Sequence, residues 1–171
     1  MANQRPPLHI EMFARLGARQ MKLIEGVSAA IKEINSLKTS VQLKEIDRAI
    51  DEGRRKFTSF EEEALQLERA FDQPDLLQTD EERKELKKDQ NKAAKTMFEY
   101  MQTIRGGEAP DRRNRISVLL ERYEKRISEK RDAAYFNKTA GFSRLAIAIA
   151  ALSLLVTVFS SIATLVVALN N

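Results

Sequence analysis

Side chains able to do chemistry are few in this chain, and their spacing forms no reaction centre. His9 is the one histidine, with Glu11 two residues on. No nucleophile or ligand pattern joins them, so His9 reads as a surface histidine at the edge of an N-terminal tail. The absence of cysteine excludes a disulfide, a thiolate metal site and a Cys nucleophile. HExxH, ExxH, Walker and GxGxxG spacings are all missing. Gly106-Gly107 has no following Lys-Ser/Thr to make a phosphate cradle, and Glu61-Glu62-Glu63 falls on the solvated positions of a helix. These patterns predict no enzyme, with no catalytic residue, no cofactor and no metal.

The informative spacing is apolar. Leu43, Ile46, Ile50, Gly53, Phe57, Phe60, Ala64, Leu67 and Phe71 step alternately by three and four, with charged residues over most positions between them. That is a strict heptad seam, which a helix must bury. Leu43, Ile46, Ile50, Phe57, Phe60, Leu67 and Phe71 therefore form a candidate interaction surface. Its occupant is another helix of the same chain, a second copy or a helical partner protein.

The longest apolar stretch is Leu145–Leu169, 25 residues without a charge, Pro, Gly, Asn or Gln. At 1.5 Å per residue it would be about 37 Å long, enough to cross a hydrocarbon core of about 30 Å with some tilt. Ala146, Ala150, Ser153, Thr157, Ser161, Thr164 and Ala168 recur along it every three or four residues. In lipid, such a stripe of small and hydroxylated side chains lets helix backbones approach, and hydroxyls can bond across the contact for about 0.6 kcal/mol each. The expectation is a span that self-associates. The alternative is that the hydroxyls bond back to their own helix.

Charge supports a membrane-facing order. The chain carries +4 overall, and the segment from Arg105 to Arg144 holds 11 Lys/Arg against 6 Asp/Glu. Positive charge beside the apolar run is what the positive-inside rule expects of a cytoplasmic flank, and it would attract anionic headgroups. Lys130, Arg131, Lys138 and Arg144, with Tyr135 and Phe136, are the candidate membrane-surface residues. Few aromatics and alternating charge signs there argue against nucleic acid as a partner.

A heptad helix ahead of a C-terminal apolar run resembles the layout of SNARE fusion proteins. The clean heptads here, Leu43–Phe71, stand far from the run, whereas that family's lead directly into it. No central Gln or Arg layer is found, and the chain is assigned to no family.

The elements that must hold these residues are all helical. Residues 1–7 read as a flexible tail ending at Pro6-Pro7, without a signal-peptide core, and Ala2 stands where N-myristoylation needs glycine. A helical bundle or coiled-coil region is expected over residues 8–104. Within it Thr39 with Gln42 marks one helix start, and Thr79 with Glu82, a capping box, begins a helix running to Ile104. Residues 105–110 should form a loop, and Asp111 should cap a basic juxtamembrane helix over 111–144. Gly141 is the weak point before the span, 145–169, and its two-residue tail, 170–171.

The sum is an all-α fold: an antiparallel bundle followed by one C-terminal transmembrane helix. The expected role is a tail-anchored, homo-oligomeric interaction or scaffold module in a bacterial inner membrane or a secretory-pathway membrane, its N-terminal domain cytoplasmic. The alternative is a membrane-permeabilising effector whose span lines a pore.

Overall fold

Nine side chains between Met12 and Ile34 recur at helical spacing, and they become the buried face of the first helix, α1 (Leu8–Ser36). The computed structural model describes residues 6–37 and 43–169, with residues 43, 155 and 158–169 described by their backbone alone. Among the described residues the chain is all-α, with no strand. Four helices follow α1: α2 (Leu43–Asp72), α3 (Asp80–Lys88), α4 (Gln90–Gly106) and α5 (Ala109–Leu169). A 3₁₀ turn (Pro74–Leu77) lies between α2 and α3.

Paired contacts along the helices give their directions. Gly26 of α1 lies against Phe60 of α2, and Gly53 of α2 lies against Ile34. The two helices are therefore antiparallel. Gly17 of α1 meets Arg112 near the start of α5, while Lys130 of α5 reaches Leu37 beyond the end of α1. So α5 runs parallel to α1, and the core is an up-down-up three-helix bundle. The 3₁₀ turn, α3 and α4 close the end where α1 begins.

The heptad seam is consumed inside this bundle. Ile46, Ile50 and Leu67 are buried, and Phe57, Phe60 and Phe71 pack half-buried against the same core. Tyr123 of α5 stands between Phe57 and Phe60, its ring 6.2 and 6.1 Å from theirs. Its hydroxyl donates to the Gly53 carbonyl at 3.1 Å. Gly53, lacking a side chain, lets the helices approach closely, with Ile34 and Tyr123 filling the space. Tyr100 of α4 makes the matching bond to the Ala70 carbonyl at 3.2 Å. Each buried phenol needs such a partner, because an unpaired buried hydroxyl costs about 1–3 kcal/mol.

Several expected boundaries shift. The helix expected to run from Thr79 to Ile104 is two helices. Asp89 leaves helical geometry (φ −137°, ψ 96°), and its carboxylate accepts the Asn91 and Lys92 N–H groups, capping α4. The Thr79–Glu82 capping box forms as the spacing predicts. The break expected over 105–110 is shorter: α4 continues to Gly106 and α5 already starts at Ala109. Asp111 is therefore in the first turn rather than at the cap, and Pro110 sits where its missing N–H has no helical partner to lose. Residues 109–134 are also not a separate juxtamembrane helix, since Ile116, Tyr123, Ile127 and Ala134 belong to the bundle core. Thr39 and Gln42 lie outside the described residues.

Gln20 and Arg112 fix the entry of α5. Gln20, fully buried, donates to the Ala109 carbonyl at 3.1 Å and accepts from Arg112 Nε at 3.0 Å. Gly141 does not interrupt the helix, and α5 runs 61 residues without a break. That is a rod of about 90 Å.

Candidate functional site

The rod outgrows the bundle. Ala134 is the last α5 residue in the core, and from Tyr135 onward the described side chains are almost all exposed. Tyr135, Phe136 and Phe142 project from the stem between bundle and apolar run, Phe136 with 73% of its surface open. Leu145, Ile147, Ile149, Leu152, Leu154 and Val156 follow, each more than half exposed. Burying a Leu- or Val-sized side chain is worth about 1.5–3 kcal/mol, so these six alone represent on the order of 10 kcal/mol of unsatisfied apolar surface. A contiguous apolar surface of this kind marks a contact with a membrane or a partner.

The expected membrane-surface residues divide. Lys130 does not face outward. Its ammonium donates to the carbonyls of Asn35 at 3.2 Å and Leu37 at 2.7 Å, satisfying acceptors that the end of α1 leaves unpaired. Arg131 lies 3.5 Å from the Asp132 carboxylate. Lys138 and Arg144 are exposed and carry no ion pair among the described residues. Together with Tyr135, Phe136 and Phe142 they make a cationic, aromatic collar on the ten or so residues before the apolar run.

Of the expected self-association stripe, Ala146, Ala150, Ser153 and Thr157 are exposed, and none touches the bundle. Ser153 Oγ donates to the Ile149 carbonyl and Thr157 Oγ1 to the Ser153 carbonyl, both at 2.9 Å. These hydroxyl protons are thus engaged by the helix's own backbone. The side chains of Ser161, Thr164 and Ala168 lie outside the described residues. Of the heptad surface, Ile46, Ile50, Phe57, Phe60, Leu67 and Phe71 face the bundle interior, and the side chain of Leu43 is outside the described set.

Two polar clusters were not legible in advance. Arg15 of α1 holds Glu82 through a double contact, 2.7 Å from each carboxylate oxygen, while also donating to the Leu77 carbonyl at 2.8 Å. With the Arg15 guanidinium bonded to it and the Thr79 N–H adding to the effect, the Glu82 carboxyl is lowered to about 2 despite its burial. His9 is half-buried rather than free on the surface, its Nδ1 3.0 Å from a carboxylate oxygen of Glu99. Both clusters join residues about 67 or 90 positions apart, a distance over which no local spacing signal exists. Neither places a nucleophile beside a base. Among the described residues no group of three His, Cys, Asp or Glu side chains could hold a metal ion.

Among the described residues no helix is long and apolar enough to cross a membrane. No family model, no curated protein and no solved structure matches the chain.

Proposed function

We propose that this chain is a single-span membrane protein in which residues 145–169 anchor a helical bundle, and that its copies associate through α5 into a scaffold at the membrane surface. The observation that carries this reading is the unbroken α5. Its first part is built into the bundle core, and beyond Ala134 the described side chains leave the bundle almost all exposed, apolar from Leu145 onward. The apolar composition of residues 158–169 in the sequence extends that rod to a length that spans a bilayer.

The seat of self-association moves accordingly. Because the heptad seam is used within the chain, copies meet through the exposed face of α5 rather than through α2. On a straight helix the residues Ala146, Ala150, Ser153 and Thr157 lie well away from the face carrying Ile127 and Ala134. Copies joined along that stripe would carry their bundles on the outside. The collar supports an anionic bilayer as the surface on which the scaffold stands. The bundle would stand on the cytoplasmic side of a bacterial inner membrane or secretory-pathway membrane, as the positive flank suggests. No observation favours a pore over a scaffold, since Ser153 and Thr157 already donate to their own backbone.

The test is flotation of the full-length chain with vesicles containing anionic lipid after an alkaline wash, beside a Leu152→Asp, Val156→Asp variant. The native chain should float and the variant should stay in the soluble fraction. Equal behaviour of the two would remove the anchor. Dye release from the same vesicles distinguishes the pore, for which the native chain should empty them and a chain with Ser153, Thr157, Ser161 and Thr164 changed to Leu should not.

A further inference from the structure

A cavity of about 350 Å³ opens at the far end of the bundle from the apolar run, between α1, the 3₁₀ turn, α3 and α4. Small-molecule sites begin at about this size and pair an apolar wall with a few convergent polar groups. One side is apolar: Met12, fully buried, with Leu86 and Met97. The other carries two cations, Arg83 and Lys87, against a single carboxylate among the lining residues, Asp75.

One buried polar atom here lacks a partner among the described residues, and Thr96, 9% exposed, lines the cavity beside it. Arg83 Nε is buried with no partner, although the same half-exposed guanidinium donates from Nη2 to the Asp75 carbonyl at 3.0 Å and places Nη1 3.7 Å from the Asp80 carboxylate. Buried polar groups in proteins are almost always bonded, and those that are not call for an explanation such as a bound molecule. More cations than carboxylates among the lining residues, an apolar wall and the unpaired Arg83 Nε in one cavity together point to an amphipathic anion.

We propose that this cavity binds a small amphipathic carboxylate, its head group held by Arg83 and Lys87 with a hydrogen bond from Thr96, and its hydrocarbon tail against Met12, Leu86 and Met97. The site does not depend on the membrane reading, because it lies wholly in the bundle. It would give a surface-held scaffold a means of responding to a soluble metabolite class.

The test is calorimetric titration of the full-length chain in lipid nanodiscs with hexanoate, using empty nanodiscs as the reference. Hexylammonium and 1-hexanol are the controls for charge and for apolar burial. Hexanoate should bind at least tenfold more tightly than either. Arg83→Gln should weaken hexanoate at least tenfold while leaving 1-hexanol unchanged. Ala93→Leu, which fills the cavity without altering charge, should abolish binding with the helical circular dichroism and melting midpoint retained. No hexanoate binding to the native chain would overturn the proposal. So would equal binding of hexanoate and hexylammonium, or native affinity in a folded Ala93→Leu variant.

Discussion

Arg15 and Glu82 illustrate how much a few side chains do at the closed end of the bundle. Glu82 receives both guanidinium contacts while its Oε2 also accepts the Thr79 N–H at 2.8 Å, so one carboxylate caps α3 and ties it to α1. With its carboxyl at about 2 in the fold against 4.5 as an ordinary glutamate, the folded state favours the ionised form. Its stabilisation is therefore fully present above about pH 4.5 and is lost as the pH falls toward 2. Urea unfolding between pH 2 and 7 should show that loss, on the order of 2 kcal/mol. Glu82→Gln should lower stability at pH 7 and flatten the curve below pH 4.5. An unchanged acid slope in the variant would show that Arg15 does not hold this carboxylate. The capping box was legible because Thr79 and Glu82 are three residues apart. Arg15 was not, because nothing local points from residue 15 to residue 82.

At the scale of elements, periodicity told which faces are buried but not what covers them. The steps of three and four from Leu43 to Phe71 read the same whether the seam meets α1 and α5 or another copy. Only the fold, with Gly53 against Ile34 and Tyr123, decides for the chain's own helices. Periodicity also concealed the break at Asp89. Leu86 and Ala93 are seven residues apart, as in one continuous helix, and the decisive contacts are those of the Asp89 carboxylate with two backbone N–H groups. Glycines mark both open and packed parts of α5 and its approach. A Cβ at Gly141 would meet nothing within 4 Å, whereas one at Gly107 would stand 2.8 Å from Phe13 Cζ and 3.0 Å from the Thr103 carbonyl oxygen. Gly141→Ala should raise helicity by the propensity gain, about 1 kcal/mol, and leave the bundle's melting midpoint unchanged. Gly107→Ala should destabilise the bundle by about 1–3 kcal/mol through overpacking. Thermal melts followed by circular dichroism read both, and a bundle insensitive to Gly107→Ala would contradict the packing of α4 on α1.

The molecule as a whole is a three-helix bundle capped at one end and drawn out at the other into a single helix. The apolar run and the cationic flank were plain in the composition, since 25 uncharged residues need no tertiary context to be seen. The role of Lys130 was not, because a lysine beside a membrane and a lysine capping a neighbouring helix look identical in sequence. The continuity of α5 underlies the central proposal, that one helix runs from a bundle in water into a rod in lipid. The chain has no cysteine, so single cysteines report position without background. The most direct measurement is labelling of Asn137→Cys and Leu152→Cys variants by a membrane-impermeant maleimide, with the full-length chain in sealed vesicles. Asn137→Cys should label at once, and Leu152→Cys should label only after detergent is added. Equal and immediate labelling at both positions would place the rod in water and contradict the account.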